Sequence, residues 1–342
     1  MDEKILSIVI PTYNMEKLLR NCLSSLVVTN NLNSLEVLVV NDGSKDSSSQ
    51  IAHEFQYKYP KTFRVIDKDN GNYGSCVNRG LKEAKGKYIK ILDADDSFDT
   101  VVLDDYLAYL AGQDNDLILT DWCLVDPDGH CTYSYHYPFS ANKVYSLKDM
   151  DVPMDFRMHG LTYKTSCLQR IGYTQTEGIS YTDSEWCFMP MSVVKTITCY
   201  DRVLYKYLVG REGQTVDDTV HAKKYWMEVD VLHRMIKQYI ENKVSWTGEV
   251  RGYMLNSLMG RAKIVLEKVL VEFYGCYSID KFAELDKLMQ TYIPESISRL
   301  NAFYLYDKLP IRYVEMWRKH DYSNCIGLRL LRLYYHMKKA RL

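Results

Sequence analysis

The segment from Tyr88 to Asp96 reads Tyr-Ile-Lys-Ile-Leu-Asp-Ala-Asp-Asp, so a short apolar run ends in three carboxylates within four residues. A run of this length predicts a strand that is buried on both faces of a parallel sheet. Four other runs along the chain predict strands of the same sheet: Ile5–Ile10, Leu35–Val40, Phe63–Ile66 and Asp116–Thr120.

Helical periodicity separates these runs. Between Glu16 and Val27 the apolar residues recur at spacings of three and four, and residues 48–59 and 75–84 have a similar pattern. Alternating strands and helices predict a Rossmann-like α/β fold, with a mostly parallel central sheet and flanking helices. In such folds ligands bind at the carboxyl ends of the strands, so the loops there are the first place to look for chemistry.

From about residue 219 the pattern is helical throughout, which predicts an α/β domain over residues 1–218 and an all-helical extension over residues 219–342. The first part holds 22 Lys+Arg and 31 Asp+Glu, a net charge of −9, and the second holds 21 and 13, a net charge of +8. An acidic domain argues against a nucleic-acid-binding module, since phosphate contacts need a basic face. The basic extension suits a polyanionic partner, an anionic membrane surface or simply a solvated helical surface.

The composition is that of an ordinary globular protein, with 46% hydrophobic and 25% charged residues among 342. No apolar run approaches the ~20 residues that span a bilayer, and the acidic start at Met1–Lys4 does not resemble a signal peptide. The nine cysteines are scattered without a Cys-x-x-Cys pair. We therefore expect a cytoplasmic protein with reduced thiols.

The carboxylates of Asp93, Asp95 and Asp96 repel one another, and this raises their pKa values unless a cation is bound. Hard oxygen ligands select Mg²⁺ or Mn²⁺, and substrate phosphates would complete the coordination. The alternative is an acidic helix start, which interacts favourably with the helix dipole.

Two further strand ends carry polar or aromatic side chains. After the first strand, Pro11-Thr12-Tyr13-Asn14 offers an aromatic ring that could stack on a planar ligand, although Asn14 could equally be a helix N-cap. After the second strand, Asp42 could accept a hydrogen bond from a nucleobase, or belong to a simple Asp-Gly turn.

Later segments supply other candidates. Tyr181–Trp186 opens a helix-like stretch in which Asp183 could be a general base, or in which Thr182 or Asp183 simply caps the helix. Gly210–Thr215 suits a mobile loop, and Arg211 there could bind a phosphate. His159 and His221 are possible metal ligands, although a single histidine is more often structural.

Four motifs together resemble the family 2 glycosyltransferases of the GT-A fold. Their order, spacing and strand context match over roughly residues 5–218, and the helical C-terminal third has no matching motif. The motifs are Ser7–Asn14, Val39–Ser44, Asn78–Gly80 and Gly86–Asp96.

The resemblance implies an inverting transfer of a sugar from a nucleotide-diphosphate sugar to a hydroxyl of a saccharide or glycolipid acceptor. Tyr13 would stack on the base, in a pocket shaped by Pro11 and Thr12. Asp42 would accept the base N3–H, which favours uracil and hence a UDP-sugar. Asn78 would belong to the donor site.

The same resemblance implies roles for the later residues. Asp93 would contact the ribose or the metal shell, and Asp95 would ligate the Mn²⁺ or Mg²⁺ ion. Asp183 would be the catalytic base, and Arg211 would lie in a loop that closes over the donor. The chain departs from the family pattern at Thr182, where an acid is usual, and at Val77, where an arginine is usual.

The sequence also allows two other classes of protein and one surface contact to be considered. A nucleotidyltransferase would carry a basic, glycine-rich loop where this chain has Pro-Thr-Tyr-Asn-Met-Glu, and a non-catalytic scaffold would not need Asp95 and Asp183. Residues 326–342 contain no acid, and their leucines either pack on the domain or lie on an anionic membrane. The basic residues of this segment are Arg329, Arg332, Lys338, Lys339 and Arg341.

Overall fold

The computed structural model describes residues 3–141, 143–149, 156–211, 218–275, 279–305 and 310–339. Its contacts divide the chain into two compact units, an N-terminal unit (Met1–Gln214) and a C-terminal unit (Thr215–Leu342). The predicted domain boundary between residues 218 and 219 stays a prediction. The eight cysteines of the described residues are free thiols.

The N-terminal unit is an α/β fold whose strands form one sheet. The sheet order is β3-β2-β1-β4-β8-β6-β9-β5, and β7 pairs with β6 outside this path. The strands are β1 (Leu6–Thr12), β2 (Leu35–Asn41), β3 (Phe63–Asp67), β4 (Tyr88–Ile91), β5 (Ser97–Phe98), β6 (Leu117–Val125), β7 (Cys131–Tyr135), β8 (Leu161–Lys164) and β9 (Ile197–Leu208).

Parallel pairing joins β3, β2, β1 and β4, which are four of the five strands that the apolar runs predict. The fifth, β6, lies in the other part of the sheet, which is mixed because β6 pairs antiparallel with β7 and β8 but parallel with β9. The alternating pattern that follows residue 120, with the turn residues Asp126-Pro127-Asp128-Gly129, indicates the hairpin of β6 and β7. The predicted α/β class with a mostly parallel sheet is confirmed.

Helices of the N-terminal unit pack on this sheet through small and apolar side chains. Gly80 allows the closest approach, because a Cβ atom there would lie only 2.3 Å from Cγ1 of Val9 on β1. The helices are α1 (Leu19–Ser24), α2 (Ser48–Lys58), α3 (Asn72–Glu83), α4 (Thr100–Ala111), α5 (Thr165–Arg170) and α6 (Asp183–Trp186).

The described part of the C-terminal unit is helical, as predicted, and a π-helical turn over Lys268–Glu272 follows α9. None of the described helices of the chain combines the length and the apolar character needed to cross a membrane. The helices here are α7 (Asp218–Lys224), α8 (Trp226–Asn242), α9 (Gly248–Glu267), α10 (Ile279–Tyr292), α11 (Glu295–Asn301), α12 (Tyr313–Lys319) and α13 (Ile326–Lys339).

Candidate active site

The carboxyl ends of β2, β1 and β4 meet at one edge of the sheet, because these three strands are parallel neighbours. Asp42, Tyr13 and Asp93 follow these ends, so topology alone brings together residues that are up to 80 positions apart in the chain. The strand pairing therefore places these three residues at a common edge, where the sequence analysis expects them.

Pro11 and Thr12 lie inside β1, whereas the sequence placed them in the loop after that strand. Pro11 is tolerated there because β1 pairs with β4 only from Leu6 to Val9, so no neighbour on that side needs an N–H from position 11. Both residues are buried, and Tyr13 is the first exposed residue, with 47% of its surface accessible. Its ring is available for stacking.

Asn14 joins the loops that follow β1 and β2. Its Oδ1 accepts a hydrogen bond of 2.8 Å from the Lys45 backbone N–H, and its own N–H donates to Ser44 Oγ at 3.1 Å. It is not a helix cap, because α1 begins later, with Leu18 at the N-cap position. Asn14 therefore fixes the distance between the two loops that carry Tyr13 and Asp42.

The Asp42 carboxylate is almost fully buried and is held by three donors of the chain itself. Lys68 Nζ lies 2.5 Å from Oδ1, and the backbone N–H groups of Gly71 and Asn72 each donate at 2.9 Å. Lys68, which the sequence analysis did not single out, is the residue that neutralises Asp42.

Tyrosine hydroxyls hold the acidic segment after β4. Tyr73 donates to Asp93 Oδ1 at 2.7 Å, and Tyr205 donates to Asp96 Oδ2 at 2.6 Å. The backbone N–H of Leu208 donates to the other oxygen of Asp96 at 2.8 Å. Burial and the neighbouring Asp95 charge raise the pKa of Asp93 to about 7, and the same causes raise the pKa of Asp96 well above its usual value.

Asp95 is paired with Arg211 in this structure. The guanidinium Nε lies 2.9 Å and Nη2 2.5 Å from Asp95 Oδ2. The side chains are only 14% and 23% exposed, respectively. The structure thus brings together two predicted site residues that are 116 positions apart, and places a cation on the middle carboxylate of the cluster.

His159 lies beside the same cluster. A ligand atom of its ring and carboxylate oxygens of Asp93 and Asp96 lie within 4.8 Å of one another, and its buried Nδ1 has no hydrogen-bond partner. Its ring stacks on Tyr207, with ring centroids 4.6 Å apart. Burial, together with the charges of Lys90 and Arg157, lowers the pKa of His159 to about 3, so the imidazole is neutral at physiological pH.

His221, the other histidine singled out from the sequence, lies in the C-terminal unit. Its Nε2 is 3.0 Å from Glu228 Oε1, and it belongs to neither of the two groups of possible metal ligands that occur within the described residues. The second of these groups is Asp126, Asp128 and His130, in the turn between β6 and β7.

Asp183 is the exposed first residue of α6. Its charge contributes to raising the pKa values of Asp93 and Tyr73, which places it in electrostatic range of the acidic segment. Tyr181, two residues earlier, has a left-handed backbone with φ of 64°, a conformation that costs about 1 kcal/mol or more for a residue with a side chain. The strained turn orients the start of α6.

The neighbours of Asp183 have structural contacts. Glu185 is fully buried and accepts hydrogen bonds from the backbone N–H and the hydroxyl of Thr176, at 2.7 and 2.6 Å. Thr182 donates to Gln175 Oε1 at 3.0 Å, and its side chain makes no capping hydrogen bond to α6. The capping interpretation of this segment is therefore wrong for the side chain of Thr182.

Asn78 lies on α3 and its side chain binds the segment 175–177. Its Oδ1 accepts from the Gln175 backbone N–H at 2.7 Å, and its Nδ2 donates to the Gln175 carbonyl at 3.0 Å and to Glu177 Oε1 at 2.8 Å. These contacts use the polar atoms of Asn78 to position the segment that leads to Asp183. Its predicted direct contact with the donor stays a prediction.

Comparison with known proteins bears on the class of this site. Residues 7–150 match the model of glycosyl transferase family 2. The matched residues include the strands that lead to Tyr13, Asp42 and the acidic segment. The match agrees with the resemblance stated from the sequence.

The chain is similar to several curated proteins. It is 22% identical over 325 residues to the minor teichoic acid biosynthesis protein GgaB of Bacillus subtilis (strain 168), a match that covers 93% of this chain but 36% of GgaB. It is 28% identical over 241 residues to an uncharacterized glycosyltransferase, the MG060 homolog of Mycoplasma pneumoniae, covering 68% of this chain and 78% of the relative. The chain thus spans about a third of the length of GgaB.

Solved structures share the fold. Residues 1–349 of S. aureus TarS, in complex with UDP-GlcNAc, superpose with a TM-score of 0.66 and 18% identity, covering 98% of this chain and 92% of that chain. A mannosyltransferase from Pyrobaculum calidifontis, in complex with GDP-Man and Mn²⁺, has a TM-score of 0.51 and 15% identity, covering 96% and 87%. At these identities the likeness establishes the fold.

Proposed function

We propose that this protein is a glycosyltransferase that moves a sugar from a UDP-sugar to a hydroxyl of a saccharide or lipid-linked acceptor, with inversion at the anomeric carbon and with Mn²⁺ or Mg²⁺. The observation that carries the proposal is the sheet edge where Tyr13, Asp42 and the acidic segment meet. The similarity to TarS, which was crystallised with UDP-GlcNAc, and to GgaB, a teichoic acid biosynthesis protein, supports this donor class and a polymeric acceptor.

The donor nucleotide would bind across the ends of β1 and β2. The exposed Tyr13 ring offers a stacking surface, and the buried Pro11 and Thr12 precede it at the end of β1. Asp42 would accept the N3–H of a uracil, while Lys68 and the two backbone N–H groups keep its carboxylate fixed. A fixed acceptor recognises a base without having to be ordered during binding.

The residues of the acidic segment fit a divalent cation. Burial and mutual repulsion raise the pKa values of Asp93 and Asp96, and a bound cation would remove this cost. We propose that Asp93 and Asp95 hold the ion, with the His159 ring close to Asp93. When bound, the ion supplies positive charge that stabilises the departing diphosphate.

Arg211 would exchange partners during donor binding. Its guanidinium neutralises Asp95 in this structure and presents the fork geometry that suits phosphate oxygens as well as carboxylates. Binding of a donor would transfer Arg211 from Asp95 to the diphosphate, which leaves Asp95 free to act as a ligand. This exchange couples donor binding to the availability of the metal site.

Asp183 would remove the proton from the attacking hydroxyl. An acceptor hydroxyl has a high pKa, so attack on the anomeric carbon needs a base in the transition state. A carboxylate on the face opposite the leaving group is sufficient, and a single in-line displacement inverts the configuration. The exposed position of Asp183, on a short helix oriented by a strained turn, suits contact with a second substrate.

Binding and hydrolysis of candidate donors test the proposal. A screen of UDP-sugars and GDP-sugars for metal-dependent hydrolysis identifies the donor, and calorimetry with UDP measures binding with and without Mn²⁺. We expect Asp95→Asn to lose the Mn²⁺-dependent part of UDP binding. Asp128→Asn is the matched control, because Asp128 belongs to the acidic group of the exposed turn.

Two results would contradict the proposal. If Asp95→Asn binds UDP with unchanged affinity in the presence of Mn²⁺, the metal assignment is wrong. If the unaltered chain binds neither UDP nor GDP, the proposed donor class is wrong. A non-catalytic scaffold then becomes the favoured function.

A further inference from the structure

Helix α13 is apolar on two opposite faces. Leu328 and Leu331 are fully buried on one face. On the other face four apolar side chains are exposed, at spacings of four, three and four residues, and at 3.6 residues per turn they project within an arc of about 60°. This α13 stripe consists of Ile326, Leu330, Leu333 and Met337, with exposed fractions of 74%, 57%, 58% and 49%.

A surface helix normally turns polar residues outward, because only its inward face is removed from water. The α13 stripe instead turns apolar residues outward over almost the whole length of the helix. Its regular spacing distinguishes it from single exposed apolar residues, which are ordinary on protein surfaces. The pattern is that of a helix with a second partner.

The charges that flank the stripe indicate the chemistry of this partner. The helix contains no Asp or Glu, and the helical spacing places Arg329 on one side of the stripe and Lys338 on the other. Both residues are exposed. Two copies that packed stripe against stripe would bring like charges together, whereas an anionic surface would attract both flanks.

We propose that the α13 stripe docks the chain on the surface of an anionic lipid bilayer. The helix would lie in the plane of the interface, with the stripe at the acyl-chain boundary and Arg329 and Lys338 at the lipid phosphates. The inference does not depend on the proposed transfer reaction.

The structure changes the set of basic residues that we expect to contact the lipid phosphates. Arg332 is buried, with its guanidinium 3.4 Å from the centroid of the Tyr274 ring, so it is not available to lipid as the sequence suggested. Lys339 forms an ion pair of 3.3 Å with Glu272. Arg341 lies outside the described residues. The exposed Arg329 and Lys338 are the basic residues of α13 that flank the stripe.

Vesicle flotation with the full chain tests this contact. The vesicles are phosphatidylcholine alone, and equal parts of phosphatidylcholine and phosphatidylglycerol. Transfer of a leucine side chain out of water is favourable and transfer of a carboxylate is not, so we expect Leu333→Glu to lower the partition coefficient on the anionic vesicles at least about tenfold. Val244→Glu is the matched control, because Val244 is 86% exposed elsewhere in the C-terminal unit and the charge change is the same; we expect its binding within about twofold of the unaltered chain.

The unfolding temperature and the molar mass in solution are measured for the same proteins. Because Leu333 is exposed, Leu333→Glu should unfold at the temperature of the unaltered chain. Three results would each overturn the proposal: no binding of the unaltered chain to anionic vesicles, equal binding to both kinds of vesicle, or equal binding of Leu333→Glu and the unaltered chain. A dimer that Leu333→Glu converts to a monomer in the absence of lipid would instead assign the stripe to a second copy.

Discussion

Two sets of carboxylates, one in each unit, are satisfied in opposite ways. In the C-terminal unit, Asp286 is fully buried and its two oxygens lie 2.6 and 2.8 Å from nitrogens of the Arg318 guanidinium, with a further hydrogen bond of 2.7 Å from Gln290. In the N-terminal unit, Asp93 and Asp96 receive their side-chain hydrogen bonds from Tyr73, Tyr205 and a backbone N–H.

The difference distinguishes Asp286, which the fold itself neutralises, from Asp93 and Asp96 of the acidic segment. A buried charge that the fold itself neutralises specifies geometry, and a buried acid without a full counter-charge is tolerated where a cation or substrate completes the site. Asp286 belongs to the first kind. Asp93 and Asp96, whose pKa values are raised by burial and by Asp95, belong to the second.

The largest expected effect is on catalysis, from Asp183→Asn. If the exposed Asp183 is the base, the variant keeps size and hydrogen bonding but loses basicity, and the transfer rate falls by roughly 10²–10⁴-fold. UDP affinity should stay within about threefold and the free energy of unfolding within about 0.5 kcal/mol, because Asp183 is a surface residue. Transfer assays, calorimetry with UDP and thermal unfolding measure the three quantities.

Retention of more than about a tenth of the transfer rate would place the base elsewhere, because general-base catalysis is worth more than that factor. Glu185 is then a poor substitute, since it is buried and bound to Thr176, and His159 is enclosed by aromatic rings. Loss of UDP binding would instead assign Asp183 to the donor site. A loss of stability would show that Asp183 has a structural role, like that of Asp286.

The sequence predicted those parts of the site that topology produces. Apolar runs and helical periodicity located the parallel strands, and parallel neighbours necessarily end at one edge, so Tyr13, Asp42 and Asp93 followed. Helix α4 was also accessible to sequence reasoning but was not anticipated: Asp99 accepts a hydrogen bond of 3.1 Å from the Val102 N–H as its N-cap. Apolar residues at helical spacing follow this cap.

The partners of the acidic residues could not be predicted in the same way. Tyr205 reaches Asp96 across 109 positions of the chain, and Arg211 reaches Asp95 across 116. Such pairs form only when the mixed part of the sheet lies beside the parallel part. A local periodicity in the sequence contains no information about this long-range arrangement. With 29 tyrosines in the chain, the residue type alone does not single out Tyr73 or Tyr205.

A smaller effect, on stability, tests the other half of the comparison. Asp286→Asn leaves the Arg318 guanidinium, 10% exposed, without its counter-charge, and breaking a buried pair in this way costs about 3–5 kcal/mol. Asp96→Asn removes a charge that its neighbours repel, so we expect a loss below about 1 kcal/mol or a gain. Urea unfolding of both variants measures the difference. Equal losses would show that the two carboxylates have the same structural role.

The smallest effect concerns Lys90, a cation buried in β4 within the acidic half of the molecule. Its Nζ donates to the backbone carbonyls of His159 at 2.7 Å and Leu161 at 3.3 Å, and burial lowers its pKa to about 7. In the unfolded chain a lysine has a pKa of about 10.4. Between these values the unfolded state binds more protons than the folded state, so the free energy of unfolding rises with pH in this range.

Lys90→Met removes this titration. We therefore expect the stability of the unaltered chain, relative to Lys90→Met, to increase by on the order of 1–2 kcal/mol from pH 6.5 to pH 8.5. Subtracting the two urea-unfolding curves cancels the other titrating groups, and Lys82→Met, at an exposed position of α3, controls for the loss of a positive charge. A difference that stays constant with pH would mean that Lys90 remains charged in the folded state. The three acceptors near its Nζ, which include Thr120 Oγ1 at 3.5 Å, would then compensate the buried ammonium as Arg318 compensates Asp286.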